Sequence, residues 1–199
     1  SAGNGGAISD GLVFDARYGL RVQDEEISLN YPDVIKFLAV YESTNTSAPT
    51  LDKLTFTSTV DVSTNAVIGE NITGVNNKVS ARVVAKPSSN VLEIVYLTSG
   101  KFNAGDSVKF SESNINTEIE SIEIGLYKNI TNSFTLDKGQ KNEYYDYSRL
   151  VRNKNVPEPS RQLLIVFDYY SVPADDDGDV FTVSSYDQDR YSKDIPTIG

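Results

Sequence analysis

Alternation of apolar and polar residues with a period of two dominates this chain, and apolar positions at helical spacing are nearly absent. A period of two places successive side chains on opposite faces of a strand, so the pattern calls for sheets rather than helices. Leu54-Thr55-Phe56-Thr57-Ser58-Thr59-Val60 alternates cleanly, and in residues 117–127 acids or polar residues alternate with Ile119, Ile122 and Ile124. The latter reads as a half-exposed antiparallel strand with one strongly negative face. Val34-Ile35-Lys36-Phe37-Leu38-Ala39-Val40-Tyr41 is nearly continuous in apolar residues, as expected of a strand buried on both faces. Residues 12–14, 27–31, 163–170 and 180–186 read as further strands.

Between residues 60 and 116 two phrases echo each other: Val67-Ile68-Gly69-Glu70-Asn71-Ile72-Thr73-Gly74 and Asn103-Ala104-Gly105-Asp106-Ser107-Val108-Lys109-Phe110. In each, a Gly is followed by an acid, a polar residue and a β-branched one, which suits a tight turn feeding a short strand. Residues 78–85 and 91–97, separated by Pro87-Ser88-Ser89-Asn90, read as a hairpin between them. The expected fold is all-β: an antiparallel β-sandwich-like domain, with a small β-barrel-like subdomain inserted at residues 60–116 and one short helix. Residues 1–59 and 117–199 would then form a discontinuous outer domain. The alternative is one continuous sandwich with two similar turns. Asn142 is placed to cap the helix across residues 143–151, with Tyr144, Tyr147, Leu150 and Val151 on one side.

Composition removes most chemistry. The sequence contains no Cys, His, Met or Trp. Without His or Cys there is no Ser-His-Asp or Cys-His nucleophile system, and no zinc, haem or iron–sulfur site of the usual ligand types. A net charge of -10 sets up a field that repels phosphate backbones, which argues against a nucleic-acid partner and against polybasic membrane attachment. No apolar run approaches the roughly 18 residues of a membrane-spanning helix. The opening Ser1-Ala2-Gly3-Asn4-Gly5-Gly6, with no Met anywhere, reads as a processed chain or a piece of a longer one; a piece is the preferred expectation, with residues 189–196 as an extended connection continuing past Gly199.

Four candidate features remain. Asp175-Asp176-Asp177-Gly178-Asp179 suggests calcium, but an EF-hand loop would need a Glu where Tyr186 stands. The simpler reading is a hairpin turn in which Asp177-Gly178 supplies positive φ, so no metal site is assigned. A glycosidase is the enzyme best suited to a chain without His, since it needs only two carboxyl groups about 5 to 10 Å apart. No pair stands out. Glu118, Glu120 and Glu123 read as a solvated strand edge or face, and Asp168 is either a buried carboxylate or a strand-ending acid bonded to backbone or Tyr hydroxyls. Tyr144, Tyr145, Tyr147, Tyr169, Tyr170, Tyr186 and Tyr191 suit a sugar-stacking or protein-binding surface, though packing explains them equally. The sequons at Asn45, Asn71 and Asn129 are ordinary in an Asn- and Thr-rich chain. No catalytic, cofactor or metal residue is therefore assigned, and the chain is expected not to be an enzyme.

Two segments carry a resemblance. One is Phe134-Thr135-Leu136-Asp137-Lys138-Gly139-Gln140-Lys141-Asn142-Glu143-Tyr144-Tyr145-Asp146-Tyr147-Ser148-Arg149-Leu150; the other is Pro159-Ser160-Arg161-Gln162-Leu163-Leu164-Ile165-Val166-Phe167-Asp168-Tyr169-Tyr170, leading into Gly178-Asp179-Val180-Phe181-Thr182-Val183-Ser184-Ser185-Tyr186. Together they resemble a module of large virion structural proteins of tailed bacteriophages, especially contractile-tailed phages of marine cyanobacteria. The echoed phrases resemble small repeats in such proteins. The resemblance implies a baseplate, tail-fibre or neck component of the phage particle, in contact with other virion proteins or copies of itself, and implies no catalytic residue. The alternatives from other classes are a surface module binding a host glycan or receptor, and a carboxylate-only glycan hydrolase.

Overall fold

The computed structural model describes residues 21–32, 34–57, 61–140 and 146–170. Their strands are β1 (Glu26–Ser28), β2 (Val34–Ser43), β3 (Asp52–Phe56), β4 (Asn71–Gly74), β5 (Ser80–Ser88), β6 (Val91–Tyr96), β7 (Ser107–Phe110), β8 (Asn116–Glu123), β9 (Tyr127–Asn129), β10 (Phe134–Asp137), β11 (Arg149–Arg152) and β12 (Leu163–Tyr169). A single α-helical turn, α1 (Val62–Asn65), starts at Asp61, whose carboxylate accepts from the amides of Ser63 and Thr64. The chain is all-β. Two three-stranded sheets run in the orders β1-β11-β10 and β12-β2-β9, and six strands close a barrel in the order β3-β6-β5-β4-β7-β8, all antiparallel. Among the described residues no helix is long and apolar enough to cross a membrane.

Alternation decides which side chains fill the barrel. Leu54 and Phe56 of β3, Ile72 of β4, Ala81 and Val83 of β5, Leu92 and Ile94 of β6, Val108 and Phe110 of β7, and Ile119 of β8 all sit in one buried cluster. The rings of Phe56 and Phe110 meet at 5.7 Å in a tilted arrangement. β3 and most of β8 lie outside residues 60–116, the stretch expected to form the small unit. They are staves because Leu54, Phe56 and Ile119 are fully buried within it and β3 pairs with both β6 and β8.

The echoed phrases occupy corresponding places in the barrel. Gly69 and Gly105 both adopt positive φ, at 94° and 87°. The Gly69 amide donates to the Val83 carbonyl and Val83 returns a bond to that of Glu70, while Gly105 and Ile119 with Asp106 do the same. A side chain at either glycine would meet nothing within 4 Å, so it is the left-handed backbone that calls for glycine.

β2 and β12 build the rest. Along β12, Leu163, Ile165 and Phe167 pack into a core shared with Ile27, Leu150 and Phe134 of the β1-β11-β10 sheet, which makes the two sheets a sandwich. The alternate residues Leu164 and Val166 face the other way, joining Ala39, Tyr41, Leu51 and Val95 in a third core against the barrel. β2 is accordingly covered on both faces from Ala39 to Ser43, while Ile35 and Lys36 near its start are exposed.

Two expectations are corrected. Residues 146–151 do not belong to a helix: Asp146, Tyr147 and Ser148 are irregular and the chain then enters β11. Leu150 pairs with Ile27 on one side and Leu136 on the other and is fully buried, so bonding to two neighbouring strands overrides the helical spacing. Residues 141–145 lie outside the described residues. The Ile residues of the alternating strand share the expected apolar face only in part. A register shift between Ser121, opposite Thr55, and Ile119, opposite Phe56, lets Ile119 and the half-buried Ile122 pack into the same barrel core, whereas Ile124 lies past the end of β8 and is 78% exposed. Replacing Phe110, fully buried at the barrel centre, by Ala is expected to cost about 3–5 kcal/mol in urea unfolding without change of the folded spectrum.

Candidate functional site

The buried carboxylates are the most chemically pointed groups in the described structure, and each is tied to several donors. Glu70, directly after the first positive-φ glycine, is 1% exposed. Its Oε1 accepts from the Val67 amide at 2.6 Å, and its Oε2 from the amides of Glu112 and Ser113, both at 3.0 Å. The Ser113 hydroxyl lies within hydrogen-bond distance of both oxygens. Burial on its own would push the Glu70 carboxyl up, but these bonds together outweigh it and hold the group below the usual carboxylate range. Asp106, its counterpart, makes the same short-range bond to the Asn103 amide but stays near the surface and takes Asn77 Nδ2 at 2.7 Å.

Asp52 opens β3 at the seam between barrel and sandwich and is 2% exposed. Oδ1 accepts from the Gly125 amide at 2.7 Å, and Oδ2 from Lys101 Nζ at 2.9 Å and the Tyr127 hydroxyl at 3.0 Å. The Tyr127 ring stacks on Tyr41 of β2 at 3.9 Å, and the Lys101 ammonium lies 3.9 Å over the Tyr96 ring. Burial, together with the charge and hydrogen bond of Asp52, pushes the Tyr127 hydroxyl up to about 12, and burial followed by the neighbouring Tyr127 raises Tyr41 further still. Both phenols are therefore neutral donors at ordinary pH. Lys101 is held by a carboxylate and covers an aromatic ring, an arrangement that fixes position.

Glu42 closes the set. It lies near the end of the apolar run of β2, and its Oε1 accepts from the amides of Ser160 at 2.7 Å and Arg161 at 3.2 Å. Its Oε2 stands 3.9 Å from Lys128 Nζ. A groove of about 620 Å3 opens beside it, between β9 with the turn that follows and the loop after β6.

The residues singled out from sequence fall differently. Asp168 is half-buried on β12, ion-paired with Arg82 of the barrel at 2.9 Å and 3.9 Å from Lys36, rather than bonded to a Tyr hydroxyl. Glu118, Glu120 and Glu123 are exposed on β8; Glu123 pairs with Lys53. Because β8 has β3 and β7 on its two sides, these acids mark a barrel face and not an edge. Tyr169 and Tyr170 are exposed, with the Tyr169 ring 4.3 Å from that of Tyr31, and Tyr147 is half-buried. Asp175-Asp176-Asp177-Gly178-Asp179, Tyr144, Tyr145, Tyr186 and Tyr191 lie outside the described residues. Among the described residues no group of three or more His, Cys, Asp or Glu is placed to hold a metal. Sequence reading passed over Glu42, Asp52 and Lys101; the only signal for the two acids is a charge set beside an apolar residue or run. Compared with family models, curated proteins and solved structures, the chain gives no match.

Removing the Glu70 carboxylate leaves the amides of Val67, Glu112 and Ser113 without their acceptor and a gap where it was buried. Glu70→Ala is expected to lose about 2–4 kcal/mol in chemical denaturation. The wild-type contribution is full above pH 4.5 and fades as pH falls through the lowered folded value, so the deficit should shrink in acid. At the other extreme, the folded state keeps Tyr127 protonated to about pH 12 whereas the unfolded chain releases that proton near pH 10. Stability is thus full below pH 10 and lost between 10 and 12. Thermal melts across that interval should fall steeply for the wild type and less steeply for Tyr127→Phe.

Proposed function

We propose that this chain is a structural module of a phage virion that works through assembly contacts with other virion proteins or with copies of itself. The observation that carries this reading is the tip between β8 and β9. Ile124 and Leu126 are 78% and 59% exposed, yet the backbone beneath them is fixed: the Gly125 amide is held by Asp52 and the Leu126 amide by the Thr50 hydroxyl at 2.9 Å. A side chain at Gly125 would run into the Thr50 carbonyl, which keeps the tip pressed against the preceding strand connection. Large apolar side chains on a preorganised mount lose little freedom on docking, which is what an interface anchor requires.

Two further observations support it. The buried carboxylates Glu42, Glu70 and Asp52 are held by backbone amides and neighbouring cations, a use that builds shape. The segments resembling virion proteins of tailed phages correspond to β10, β11 and β12, the strands that build the sandwich and one wall of the seam.

The reading is tested in density-gradient-purified particles of the encoding phage. Peptides of this chain should be found in them by mass spectrometry, and the doubly substituted Ile124→Asp, Leu126→Asp form should be incorporated at least tenfold less while melting within a few degrees of the wild type. A chain missing from the particles, or incorporation indifferent to both aspartates, would sink it.

A further inference from the structure

The groove beside Glu42 has a lining that selects one kind of ligand. Its volume, about 620 Å3, lies within the range of about 300–1,000 Å3 usual for small-ligand clefts. The ionised groups on its walls are Glu42, Glu158 and Lys128. Glu42 is already compensated, with one oxygen on two amides and the other facing Lys128, so it does not call for a cation. Two carboxylates against one ammonium, on a chain of net charge -10, disfavour an anion. Charge thus points to a neutral ligand.

Hydrogen bonding defines it further. Asn129 Oδ1 accepts from the Thr131 amide at 3.0 Å and from its hydroxyl at 2.6 Å, which settles the orientation of the side-chain amide. The Asn129 NH2 group is left with no acceptor among the described residues, and neither end of the exposed Asn132 amide has a partner there. Thr98 Oγ1 accepts from the Ser80 amide at 3.1 Å, leaving its proton to donate. Glu42 Oε2, at the side of a residue only 7% exposed, is an acceptor with no hydrogen bond of its own. Donors and an acceptor therefore line the groove together with Leu97, which is 37% exposed, and the exposed ring of Pro157. A ligand with many neutral hydroxyls and apolar C–H faces satisfies both kinds of surface. A peptide anchor would seek an apolar pocket, whereas polar atoms predominate in this lining.

We propose that this groove binds a neutral oligosaccharide, with Asn129, Asn132 and Thr98 donating to its hydroxyls, Glu42 accepting from one, and Leu97 and Pro157 meeting its C–H faces. The proposal is independent of the assembly reading, since the groove lies on β9 and the loop after β6 and the apolar tip precedes β9.

Saturation-transfer NMR tests it on the intact chain, using neutral α-glucan, β-glucan and mannan hexasaccharides, a sialylated hexasaccharide and an uncharged hexapeptide as probes at millimolar concentration. Transfer to at least one neutral hexasaccharide is expected. Asn129→Asp, which keeps the acceptor for Thr131 and removes the donor, and Asn132→Ala should each weaken it tenfold or more, with melting temperatures within about 2 °C of the wild type. Silence across all three neutral probes, transfer only to the sialylated sugar or the peptide, or transfer unchanged in both variants would overturn the proposal.

Discussion

Strand β2 has two apolar faces, and each belongs to a different core. Val34, Phe37 and Val40 pack with the β1-β11-β10 sheet, while Ala39 and Tyr41 pack with Leu51 and Val95 against the barrel. A strand of this composition cannot leave either face to water without exposing several large side chains, each worth about 1.5–3 kcal/mol when buried. The sandwich covers one side and the barrel wall the other. β12 repeats the division residue by residue, which is why β2 and β12 form the most extensive pairing outside the barrel. The seam, and every group assembled along it, follows from that double burial.

Charge is then used where the apolar seam meets irregular backbone. Glu42 gathers the amides of Ser160 and Arg161 at the entrance to β12, Asp168 near its far end reaches Arg82 of the barrel, and Asp52 collects the segment leaving β8. Burying a carboxylate costs more than an isolated ion pair returns, so these groups are better understood as fixing loops in one place than as sources of net stability. Glu70 and Asp106 make the point by comparison. Both cap the turn behind a positive-φ glycine, but the longer Glu70 side chain reaches across to residues 112 and 113 and is buried, while Asp106 stays near the surface. Two halves of the barrel that share a backbone plan differ by one methylene and by what it can reach.

Much of this was legible in the alternation and in the glycines. The strands expected at residues 54–60, 78–85 and 91–97 are found as Asp52–Phe56, Ser80–Ser88 and Val91–Tyr96, the hairpin turn shrinking to Ser89 and Asn90, and the turns at Gly69 and Gly105 take positive φ, because period and φ are local properties. What was not legible depended on neighbours distant in sequence. Leu150 sits in a segment with helical spacing and becomes a strand because Ile27 and Leu136 flank it. Ile124 looks like the next core residue of β8 and is exposed because β8 ends at Glu123, where the chain turns away over the Gly125 amide held by Asp52. Asp52 and Glu42 read as stray charges beside apolar runs, and their donors lie 49 to 119 residues away. Neither the partners nor the burial of such a group is encoded near it.

Asp52 also stands at the root of both proposed contact surfaces. Its Oδ1 fixes Gly125, between the exposed Ile124 and Leu126, and its Oδ2 fixes Tyr127, which opens β9 and is followed by Lys128 and Asn129 at the groove. The tip and the groove wall are thus consecutive stretches of one segment clamped by a single carboxylate, with the Tyr41–Tyr127 stack pressing it onto β2. Because the freedom of this segment is already spent in folding, a contact at the proposed docking tip or in the proposed sugar groove would order little further backbone. The proposed assembly contact and the proposed sugar contact would then be independent of each other, with one buried carboxylate at the root of both.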